Sequence, residues 1–213
     1  MEKDVSVSIR STSLSERNTT FHENIWSCLC DKTSPLFQGK GLKGSIDELN
    51  SLARKHASDS SNIKSDINTL IQSGVKSLSL KLANVSAVIP PTEEGDTLYL
   101  QRLADIWFYY HNTTLLFLEA GSFLNDKLIV FVPITKEDLS IRQVGLLTFK
   151  NDLIWPIRVR LEELFSKKHE FTNDSRGKLL QMMSILASVT ENEFERNYLV
   201  EMLDNFKSKN TNY

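Results

Sequence analysis

The sequence has 213 residues, room for one domain or at most two small ones, and enough to bury a core without disulfide or metal staples. Its 25 Lys and Arg against 27 Asp and Glu leave a formal net charge of −2, which excludes a global attraction to nucleic acid or anionic lipid. Two cysteines build neither a disulfide framework nor, alone, a four-ligand zinc site, and eight glycines and five prolines exclude a collagen-like or Pro/Gly-rich chain.

Residues 1–18 are rich in Ser, Arg and Glu and have no sustained apolar period, so a disordered tail is expected there. The opening residues lack the apolar core of a secretory signal, which predicts a cytoplasmic chain with reduced thiols. The longest apolar stretch, 106–118, is broken by His111, Asn112 and two threonines and is too polar and too short to cross a bilayer. The expected fold is all-α: one compact helical domain of about seven or eight helices over 19–206, with a C-terminal tail at 207–213 and at most one short extended segment near 128–134.

The elements follow from period and punctuation. Phe21, Ile25, Trp26, Cys28 and Leu29 recur at three- and four-residue spacing, the mark of an amphipathic helix. After the turn SPLFQGKGLKG, Ser45 and Glu48 have capping-box spacing before the stripe Ile46, Leu49, Leu52, Ala53. A third, long helical pattern begins at Ser60, with Ile63 to Val85 at helical spacing; Gly74 weakens its middle by about 1 kcal/mol against alanine, and Pro90-Pro91 ends it. The segment from Thr92 opens with Glu93, Glu94 and Asp96, which suit a helix N-terminus, and becomes apolar on most sides, as a central helix does. LIVFVPI at 128–134 has strand composition, but Pro133 limits it to an edge or connector. Helical patterns then fill 136–150, 151–168 (with Pro156 in a first turn or at a break), 175–189 (capped by Asn173 or Asp174) and 191–209.

No arrangement assembles a reaction centre. Gly39 to Gly44 spells G-x-G-x-x-G, but no strand precedes it and no βαβ alternation surrounds it; a flexible basic turn is expected instead. As a P-loop it fails, because Ser45 stands where the lysine must be. Cys28 and Cys30 point to different helix faces. His22, His56, His111 and His169 have no ligand spacing, and His111 reads as a hydrogen-bonded core histidine. Glu162 and Glu163 are adjacent and do not converge, and Arg158, Arg160, Lys167 and Lys168 read as a solvated face. No cofactor, metal or catalytic residue is expected.

Three blocks resemble the HbrB-like (Protor) family. The first spans 25–56, with Trp26, Leu36, Phe37, Gly39, Leu42, Ser45, Ile46, Asp47, Glu48, Leu49 and Asn50 on the family's tryptophan helix, Leu-Phe-x-Gly turn and Ser-led acidic segment. The second, 103–123, places Leu103, Asp105, Ile106, Trp107, Tyr109 and Tyr110 on its Ile-Trp segment. The third places Ile141, Arg142, Leu146, Phe149, Lys150, Asn151, Leu153, Ile154 and Pro156 on a later stretch. Two departures stand out. Leu115-Leu116 replaces a Leu-Pro, which predicts an unkinked helix, and Phe149-Lys150-Asn151 keeps a cation but loses a carboxylate.

The resemblance implies a non-catalytic adaptor subunit of TOR complex 2 that binds that assembly's large Rictor-type helical scaffold. It further implies support of signalling to AGC kinases, actin organisation and cell-wall integrity, and recruitment with the complex to the plasma-membrane periphery. A stand-alone helical interaction module or a peripheral membrane-surface protein is the alternative. Trp26, Phe37, Ser45, Glu48, Trp107 and Phe149 are expected structural anchors. Lys40, Lys43, Arg142 and Lys150, cations within the resembling blocks, are expected to meet acidic groups on the scaffold.

Overall fold

A computed structural model describes residues 14–59, 63–120, 140–169 and 171–210; among them all regular structure is helical. The strand-like run at 128–134 lies outside the described residues. Helix α1 covers Leu14–Phe37, so it begins inside the segment expected to be a tail. Helix α2, Ile46–Asp59, is capped as expected at its start: the Glu48 backbone N–H donates to Ser45 Oγ at 3.1 Å. The Glu48 carboxylate, however, turns to Lys32 Nζ at 3.0 Å rather than completing a capping box.

Helix α3, Ile63–Val88, stops just before the proline pair. Helix α4, Glu93–Tyr109, starts on Thr92, whose hydroxyl accepts from the Gly95 N–H at 3.1 Å, with three acids in its first turn. It does not run on uniformly. A π turn, Tyr110–Thr114, separates it from α5, Leu115–Ala120, so loss of the proline has not left a regular helix.

Helix α6, Ile141–Phe149, begins with a full capping box of Ser140 and Gln143. A second π turn, Lys150–Ile154, and a 3-10 turn, Trp155–Ile157, lead into α7, Arg158–Phe165; Pro156 sits in that break. Helix α8, Asn173–Val189, is capped by Thr172, one residue before the expected position, and α9, Glu193–Lys209, by Asn192.

Helix α4 lies between α3 on one side and α8 on the other, while α8 also packs on α9 and α6, and α1 on α2 and α3. Trp107 is wholly buried on α4. Its indole N–H donates to Gln181 Oε1 of α8 at 3.3 Å, and the Phe149 ring meets it edge-on at 5.4 Å. Gly74 is not a weak spot but a requirement. A Cβ there would lie 2.3 Å from the buried Phe37 ring, so glycine is what lets α1 and α3 approach.

Candidate interaction surface

The basic turn after α1 is held, not loose. Gly39 and Gly44 take φ of 77° and 120°, which favours glycine, and the chain folds back on α1. The N–H groups of Gln38 and Lys40 both donate to the Pro35 carbonyl at 3.0 Å, and that of Lys43 to the Lys32 carbonyl at 3.2 Å. Tyr109 of α4 donates its hydroxyl to the Lys40 carbonyl at 3.4 Å. The side chains of Lys40 and Lys43 stay exposed.

The structure separates the four expected partner-binding cations. Arg142 is half-buried and already engaged: one guanidinium nitrogen meets Glu119 at 2.7 Å and another donates to His111 Nε2 at 2.8 Å. Lys150 is only 4 % exposed, ion-paired with Glu195 of α9 and 6.0 Å from the Trp155 ring centre. The reading of Lys150 as a surface contact is therefore corrected. An ammonium at this depth needs its carboxylate inside the molecule.

His111 is the hydrogen-bonded core histidine expected. Because Arg142 donates to Nε2, that nitrogen accepts, and Nδ1 carries the proton shared with Asn112 Oδ1 at 3.0 Å. Burial, with the Arg142 cation, outweighs the Asn112 bond and holds its pKa below the ordinary 6.5. His169 binds Thr97 and the Leu164 carbonyl, and His56 binds Asp66 while stacking on Trp26. Burial, aided by Asp31, pushes the Cys30 thiol up to about 11, far from a nucleophile's range. No group of three or more metal-ligating side chains forms among the described residues.

A groove that single-residue reasoning missed adjoins the basic turn. It is an open depression of about 770 Å³ between the end of α1, the outer face of α3 and the start of α4. Ser77, Leu80, Lys81, Asn84 and Val88 line it from α3, Leu98 and Arg102 from α4, and Lys40 from the turn. Leu80, Val88 and Leu98 are 58 %, 84 % and 41 % exposed. The signal in the sequence was a second stripe on α3, at three- and four-residue spacing, opposite the core stripe. No ion pair holds Lys40, Lys81 or Arg102 among the described residues, and no carboxylate lines the groove.

Fold and surface together define the class, an all-α domain presenting a basic, partly apolar groove. The HbrB-like family model matches residues 20–125, a stretch that begins within α1 and runs through α5. It is 23% identical over 198 residues to the target of rapamycin complex 2 subunit bit61 of Schizosaccharomyces pombe (strain 972 / ATCC 24843). That alignment covers 80% of this chain and 44% of bit61, so the chain spans less than half of that relative's length. No solved structure matches.

Proposed function

We propose that the chain is a non-catalytic adaptor subunit of a TOR complex 2 kinase assembly, bound to its large Rictor-type helical scaffold. In this role it supports signalling to AGC kinases, actin organisation and cell-wall integrity, acting in the cytoplasm and at the plasma-membrane periphery. The observation that carries the reading is the joint match: an HbrB-like region at 20–125 and similarity, over most of the chain, to a protein named as a subunit of that complex. The geometry supports it in kind. The histidines at 56, 111 and 169 are each tied to neighbours, and no described helix is long and apolar enough to cross a membrane.

The test is affinity purification of the tagged chain at native level, with quantitative mass spectrometry. Recovery of the TOR complex 2 kinase and its scaffold in fixed ratio to the bait is expected. A folded bait that recovers neither overturns the proposal.

A further inference from the structure

The groove beside the basic turn asks for an occupant. Its apolar residues are out in solvent while the core is complete beneath them: Phe37 and Leu82 are buried, yet Leu80, Val88 and Leu98 stay open. Exposed aliphatic residues gathered in a concavity mark an interaction site more often than scattered ones do. The charge is one-sided in a chain whose net charge is −2, with Lys40, Lys81 and Arg102 around the apolar floor and no acid among the lining residues.

The dimensions select among ligands. From Ser77 to Val88 the α3 wall runs about 17 Å at 1.5 Å rise per residue, the length of a three-turn helix. An open trough of this length suits a chain segment more than an enclosed small molecule. A flat anionic membrane fits less well. Beyond Leu98 the next depression is lined by Glu93 and Glu94, which would face the same lipid surface.

We infer that this groove docks an acidic amphipathic helix from a partner protein. Apolar residues at three- and four-residue spacing on that helix sit on Leu80, Val88 and Leu98. Its flanking carboxylates meet Lys40, Lys81 and Arg102. The inference deepens the proposed subunit role and rests on it only for which protein supplies the helix.

The test places a photo-reactive benzophenone residue at Leu80 (Leu80→p-benzoylphenylalanine) in the tagged full chain at native level, and sequences the cross-linked peptides. A cross-link into a segment of another protein with apolar helical spacing and net negative charge is expected. Lys81→Glu with Arg102→Glu should weaken it at least about tenfold while the circular dichroism melt stays unchanged, since both side chains are exposed. A cross-link only to lipid, to this chain or a second copy, or to a basic segment overturns the inference. So does a cross-link indifferent to the charge reversal, or none at all. Co-purification is read from the same sample. An acidic helix from a protein outside TOR complex 2, with the complex absent, upholds the groove and sinks the subunit reading. The complex recovered from the reversed variant with the cross-link also undiminished does the opposite.

Discussion

Gly74 shows how a single position inverts its expected sign. Alanine in place of a mid-helix glycine ordinarily stabilises by about 1 kcal/mol. Here the added methyl would sit 2.3 Å from the Phe37 ring, and overpacking of that kind costs about 1–3 kcal/mol. Gly74→Ala is expected to lower Tm, and Phe37→Leu in the same chain to recover part of the loss; thermal denaturation of the two singles and the double checks it. A positive shift for Gly74→Ala alone would refute the close approach. Nothing near Gly74 in sequence announced this, because the ring arrives from the end of α1. Trp107 was legible, since it stands on the segment apolar on most sides. Trp107→Ala removes a wholly buried indole and its bond to the exposed Gln181, so a loss of about 3–5 kcal/mol, roughly 10 °C in Tm, is expected from the lost burial. A variant melting within 2–3 °C of the parent would contradict that burial, by the same scaling.

Among elements, apolar period located the helices but not every start: Thr172 caps α8 one residue before Asn173, whereas α1 begins at Leu14 against an expected 19 and α7 at Arg158 within a pattern expected from 151. The two π turns left no such trace, because one extra residue per turn keeps the local pattern apolar. They are nonetheless where the molecule is tied together. Tyr110, in the first, donates to the Gly145 carbonyl of α6 at 2.9 Å and stacks on Phe149 at 4.9 Å, next to the second. His111 in the first turn accepts from Arg142 of α6. Its pKa is held below the ordinary 6.5 chiefly by burial, so the unfolded chain takes up a proton that the folded one resists. Stability contributed by neutral His111 is present above that value and is lost as pH falls through it. Urea midpoints between about pH 8 and pH 5 should therefore fall less in His111→Gln than in the parent. Equal slopes in the two proteins would show that this imidazole does not resist protonation.

For the whole molecule, sequence reasoning reached the helical class and the resemblance to the HbrB-like family, but not the distribution of charge between surface and interior. Lys40 and Lys150 look alike in one dimension. What separates them is Glu195, 45 residues further on, which pulls the second ammonium under α9. Lys40→Glu with Lys43→Glu should change stability by no more than about 0.5 kcal/mol, whereas Lys150→Glu sets two carboxylates together at a buried site and should cost about 3 kcal/mol or more. Chemical denaturation of the two variants checks it, and a stable Lys150→Glu protein would mean that the lysine reaches solvent. The groove was hidden for a related reason, since it exists only where the outer face of α3 meets α4 and the turn. The placement of α4 between α3 and α8 has a consequence for synthesis. The family-matched stretch, 20–125, ends before α8 is made, so α4 is synthesised before the helix that covers its other side. While the chain leaves the ribosome, the Trp107 face of α4 waits for residues around Gln181, on the order of ten seconds at ordinary elongation rates. Throughout that interval the newborn chain leaves the Trp107 side of α4 uncovered, an apolar face of the kind that chaperones at the tunnel exit hold.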